Sequence, residues 1–241
     1  MRRALLLVVV GCGSSPSGPL PSGAGGVSLG VVDNATEHDG SAQAYFPGGD
    51  FDIPCASHST VGMCLVSQHC DESNLTYPPV LPFGAVVVTG TTPTVTLEGP
   101  SSAPFPTPLY AGGETLTFDG GGDDVPRFNG TLIAPGKLVV SGPATRPADD
   151  ADLPLTWTGT SSGQVIVTLF GGPLSDITAV DCSFPASDGQ AVIPGSLRTL
   201  APGNEIRTDV TTTLTVGGWT IDLVADFDAV DVNDAPAASV L

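Results

Sequence analysis

Beyond residue 26 the chain is a succession of short β-branched runs, each bounded by Gly, Pro, Asn or Asp. Period-two alternation, or a compact β-branched run, predicts strands, the clearest at 85–89, 94–98, 115–118, 137–141, 153–158, 164–170, 208–216 and 219–225. Between the last two, Val216-Gly217-Gly218-Trp219 predicts a tight hairpin, because paired glycines supply the positive φ of a primed turn. One helical pattern stands out, at 194–200. Pro194 suits a first helical position, Ile193, Leu197 and Leu200 share a face, and Gly203 follows just past the end.

So many short strands at close spacing predict an all-β fold built as a β-sandwich. The weakly patterned break at Ala134-Pro135-Gly136 divides it. The expectation is two packed β domains, one at 27–135 with a Cys-containing loop and one at 136–235, followed by a tail at 236–241. The second domain holds six or seven predicted strands in about one hundred residues, the size of an immunoglobulin-like sandwich.

Composition narrows the class. Apolar residues make up 41% of the chain, enough to build a core, while charged residues are only 13%. The formal charge is −18. Outside Arg2 and Arg3, the fixed positive charges are Arg127, Lys137, Arg146, Arg198 and Arg207, scattered rather than clustered. Nucleic acid is therefore excluded as an expected partner, since phosphate binding depends on grouped Lys and Arg.

The first twelve residues read as an address. Arg2 and Arg3 form a basic start, and 4–10 is an apolar run that would rise only about 10 Å as a helix, against a hydrocarbon core of roughly 30 Å. Such a run exports a chain but does not span a bilayer. It ends in Val9-Val10-Gly11-Cys12, which resembles the lipobox of bacterial lipoproteins. The resemblance implies that 1–11 is a signal peptide, that a diacylglycerol is joined to the Cys12 sulfur, and that the new terminal amine is acylated. Two or more acyl chains, each worth about 0.8 kcal/mol per buried CH₂, anchor stably where one does not. The alternative is ordinary secretion, with Cys12 removed or left as a spare thiol. Residues 12–26, rich in Gly, Ser and Pro, are expected to be a flexible tether of roughly 20 Å.

Lipid on Cys12 would leave Cys55, Cys64, Cys70 and Cys182, an even set for two disulfides in an oxidising compartment. Three pairings are open, and each needs one long-range bridge to Cys182, nominally worth ~4–5 kcal/mol. Such a bridge would tie the two halves into one packed unit. The same region also admits a zinc reading, with His58 and His69 among the cysteines, but there is no C-x-x-C and His69 adjoins Cys70.

Catalytic motifs are mostly rejected. Gly159-Thr160-Ser161-Ser162-Gly163 matches G-x-S-x-G, yet predicted strands flank it on both sides and no histidine follows it. It reads as a hairpin loop. Paired carboxylates for glycan hydrolysis remain open among 25 acidic residues, though aromatics are only 6%. Two acidic stretches could hold calcium, 119–124 and 226–234. Within the second, Asp231-Val-Asn233-Asp234-Ala-Pro resembles the calcium-binding linker of cadherin-like domains, which implies Asp231, Asn233 and Asp234 as ligands, and Asp228 of the same acidic stretch is a further candidate. Against it stand solvated acidic turns with no cofactor.

In overall style the chain resembles envelope lipoproteins of myxobacteria and their high-GC Gram-negative relatives, a lipobox and tether preceding a Thr- and Gly-rich sandwich. That resemblance implies membrane attachment through the N-terminal lipid, and Gly13 in place of Asp points to the outer membrane. The expected function is a non-catalytic binding or structural module with an envelope protein or glycan partner, or a subunit of a surface assembly. The alternative is a carboxylate-dependent envelope hydrolase.

Overall fold

Apolar side chains at every second position put one face of most strands into a core and leave the other toward solvent. The computed structural model describes residues 23–48, 55–70, 78–99, 101–143, 147–148, 150–159, 162–173, 175–201 and 203–231. The lipobox, Cys12, residues 12–22 of the expected tether, and the tail with Asn233 and Asp234 lie outside the described residues.

Seventeen strands are present among the described residues. They run β1 (Ala24–Asp33), β2 (His38–Tyr45), β3 (Cys55–Val61), β4 (Cys64–Cys70), β5 (Ala85–Thr89), β6 (Val95–Glu98), β7 (Ser101–Phe105), β8 (Thr115–Gly122) and β9 (Val125–Ile133). After these come β10 (Val139–Ser141), β11 (Leu153–Thr158), β12 (Gln164–Gly171), β13 (Ile177–Pro185), β14 (Gln190–Ile193), helix α1 (Gly195–Arg198), β15 (Gly203–Val216), β16 (Trp219–Asp228) and β17 (Val230–Asp231). A nine-stranded sheet has the order β3-β4-β13-β12-β15-β16-β1-β2-β7. Two four-stranded sheets, β6-β5-β8-β9 and β14-β11-β10-β17, complete the sandwich.

The large sheet is shared by two cores. One packs Val27, Leu29 and Val31 of β1 and Ile221, Leu223 and Phe227 of β16 against Val86, Leu116 and Phe118. The other packs Val66, Val165, Val167, Val180 and Ile206 against Leu138, Leu155, Trp157 and Ile193. Within the second, β14-β11-β10 packs against β4, β13, β12 and the Ile206 end of β15. Trp157 anchors it, with Nε1 donating to the Ala186 carbonyl at 2.8 Å and the indole against Phe184. Parallel pairing of β1 with β16 brings residues from both ends of the sequence side by side.

Local chemistry explains the connections. The β15–β16 hairpin closes through Gly217 and Gly218 at φ 57° and 82°, with Val216 opposite Trp219. Pro194 caps α1, and Gly195 is required there, since a Cβ would stand 2.1 Å from the Asp150 carbonyl oxygen. The buried Arg198 guanidinium donates to the carbonyls of Ala148 and Ala151, fixing that loop on the helix.

Two readings change. β1 begins at Ala24, so 24–26, expected as tether, are strand. A Cβ on Gly25 would meet the Phe46 ring at 2.4 Å, which shows how closely this stretch packs. The segment 159–163 joins β11 to β12, which lie in different sheets, so it is a crossover and not a hairpin loop. Among the described residues no helix is long and apolar enough to cross a membrane.

Candidate functional site

On β15 and β16 the strand period turns a row of charged side chains away from the cores. Ile221, Leu223, Ala225 and Phe227 point inward, leaving Asp222, Val224, Asp226 and Asp228 half-buried on the outer face of the nine-stranded sheet. The ladder sets Arg207 opposite Asp228 and Asp209 opposite Asp226. Arg207 is the hub: Nε lies 2.9 Å from Asp209 Oδ1 and Nη1 2.7 Å from Glu205 Oε1. Across the next strands, Thr168 Oγ1 donates to Asp181 Oδ1 at 2.9 Å. Five carboxylates therefore surround one guanidinium on an open face whose remaining positions are largely Thr, Ser, Gly and Gln.

Backbone packing shapes this cluster. Gly30 of β1 sits beside Asp226, where a Cβ would come within 3.0 Å of Oδ1 and 2.8 Å of Ser41 Oγ. The missing side chain makes the space that the carboxylate occupies. From the core side, the buried Tyr110 hydroxyl donates to the backbone carbonyls of Asp226 and Leu29 and pins β16 to β1.

Desolvation dominates the electrostatics. Burial, then Asp209, pushes the Asp226 carboxyl well above its ordinary range. Burial and then Glu205 raise Asp228 to about 7. Asp209 and Asp181 are also raised by burial, with Arg207 opposing the rise in both and the Thr168 hydroxyl also opposing it at Asp181. Burial works against the Arg207 charge, but Asp209 and Glu205 outweigh it and raise its affinity for the proton. Two aspartates directly opposite on neighbouring strands repel when both are ionised, so the cluster retains protons that exposed carboxylates release.

The cysteines form two bridges, Cys55–Cys70 and Cys64–Cys182. This selects one of the three pairings and includes the long-range link, 118 residues apart in sequence, which fastens β4 to β13. It also removes the zinc reading, because disulfide sulfurs are not thiolate ligands. His58 is instead paired with Ser67 Oγ at 3.0 Å, and His69 with Asp176 Oδ1 at 2.8 Å.

Of the calcium candidates, Asn233 and Asp234 lie outside the described residues. Asp228 belongs to the nine-stranded sheet, whereas Asp231 lies on β17, opposite Val140 in a four-stranded sheet. Asp119 is in the β8–β9 ladder opposite Asn129, and Asp123 and Asp124 make the turn that follows. Among the described residues no three His, Cys, Asp or Glu side chains converge as a metal-ligand set. Ser161 of the G-x-S-x-G match lies outside the described residues. An open concavity of about 450 Å³ is lined by Val80, Phe83 and Gly84, with Glu98 and Asp123 also present.

Sequence reading singled out Asp226 and Asp228 but missed Glu205, Arg207, Asp209 and Asp181. The available signal was the i, i+2 spacing of Glu205, Arg207 and Asp209, matched by Asp226 and Asp228 two residues apart. A strand started at 208 splits that triplet and hides it.

No protein-family model matches this sequence, and no curated protein matches it.

Proposed function

We propose that the chain is an envelope lipoprotein, held on the outer membrane by lipid at Cys12, whose sandwich body binds or positions an envelope protein or glycan. The observation that carries this reading is the closure of Cys55, Cys64, Cys70 and Cys182 into two disulfides. That pairing suits an oxidising compartment and leaves Cys12 as the odd cysteine of five. The odd residue is the one in the lipobox. The broad polar outer face, with its acidic cluster, suits recognition better than a water-excluding reaction site.

Anchoring is tested by fractionating cells that express the native chain or Cys12→Ser. The native chain is expected in the membrane fraction and the variant in the soluble fraction; a variant that stays with the membrane overturns the lipid reading. The binding role is tested by capture from the native envelope with a C-terminally tagged copy. An envelope protein or glycan retained by the wild type and lost from Asp209→Asn/Asp226→Asn supports it. A second reading, a carboxylate-dependent hydrolase, draws on the concavity with Glu98 and Asp123. Glycan cleavage abolished by Glu98→Gln or Asp123→Asn would favour it.

A further inference from the structure

The two outermost strands of the nine-stranded sheet are built differently. β7 carries Pro104, which has no N–H to offer an added strand and so blunts that edge. β3, Cys-Ala-Ser-His-Ser-Thr-Val, has no proline, lysine, arginine or acid. Six of its seven residues are exposed, and none belongs to either core. It is nevertheless covalently stapled to the sheet. Cys55–Cys70 ties it to β4 at one end, and Cys64–Cys182 ties β4 to β13. Among the described residues nothing pairs with its outer edge, where alternate N–H and C=O groups point away from β4.

We propose that β3 is a docking edge for a second copy of this chain, the two β3 strands pairing antiparallel about a two-fold axis at His58. The arrangement of apolar groups favours a copy over an arbitrary strand. The β3–β4 tip exposes Val61 (40%) and Met63 (57%), while the opposite end of β3 carries the Cys55–Cys70 bridge. Two-fold pairing sets Val61 opposite Cys55 of the second copy, so each exposed tip covers the other copy's disulfide. Between them, Ser57 meets Ser59 and Ala56 meets Thr60, small pairs suited to close cross-strand contact.

Charge points the same way. Copies of a chain with net charge −18 repel over most of their surface, but the hairpin Cys55–Cys70 contains no Asp or Glu. The contact therefore sets no carboxylate against another. A prestapled edge also loses little conformational freedom on pairing. One added strand per copy lies at the small end of specific interfaces, so the dimer is expected to be micromolar or weaker. This inference goes beyond the binding reading and does not depend on lipid at Cys12.

Sedimentation velocity of the full chain in density-matched nonionic detergent, from low micromolar to near-millimolar concentration, tests it. The wild type is expected to pass from monomer to dimer. His58→Lys, which sets two like charges at the axis, is expected to weaken the dimer at least tenfold with an unchanged melting temperature. Met63→Ser at the exposed tip is expected to weaken it as well. A wild type that stays monomeric throughout, or a dimer that both variants form as well as the wild type, overturns the proposal.

Discussion

At the scale of single residues, the outer-face carboxylates set the pH response. A group whose folded pKa lies above its unfolded value binds more protons in the folded state. Its stabilising contribution is complete below the unfolded value and is lost as pH rises through the folded one. For Asp228, raised to about 7 by burial and Glu205, that window runs from about 4 to about 7. The melting temperature is therefore expected to be higher at pH 5 than at pH 8. Asp228→Asn should recover about 1–2 kcal/mol at pH 8, worth about 2–4 °C per kcal/mol, and little at pH 5. Equal melting temperatures for wild type and variant at pH 8 would contradict this. Arg207→Met acts in the opposite sense, leaving Glu205 and Asp209 without their shared cation. Its cost is expected to be about 2–3 kcal/mol at pH 8 by urea unfolding, shrinking at pH 5 as the carboxylates take up protons.

Elements were legible where side chains alternate visibly and obscure where glycine fills the alternate positions. β5, β11 and β12 match their predicted spans closely, and the Gly217-Gly218 hairpin is as expected. β1 was hidden because Gly26, Gly30 and Val32 stand at its outward positions, leaving Ser28 as the one polar residue set between Val27, Leu29 and Val31. The cysteine count announced two bridges, but the partner of Cys182 depended on β4 and β13 becoming neighbours, which no local pattern encodes. The two bridges should differ in strength. Cys64–Cys182 closes a long loop between buried strands, whereas Cys55–Cys70 spans 15 residues and clamps an exposed edge. Replacing the first pair with Ala is expected to cost about 4 kcal/mol, and the second no more than about 3. The order of the two melting temperatures checks it, and equal losses would argue against the topological explanation.

For the molecule as a whole, one sheet common to both cores fixes the relation between the two faces. The inward sides of β1 and β16 bind the first core, those of β4, β12 and β13 the second, and the outer side of the described strands carries the acidic cluster. A body so negative gains little from anionic headgroups, so the proposed membrane attachment would rest on the N-terminal lipid. Two anchored copies on one surface would raise each other's effective concentration, which suits a weak edge contact such as that of β3.

Mass spectrometry of the native chain purified from cells that express it tests the proposed lipid anchor directly. The expected chain starts at Cys12, carries diacylglycerol and an amide-linked acyl group there, and shows no free thiol. A native chain that retains residues 1–11, or bears an unmodified Cys12, would contradict it.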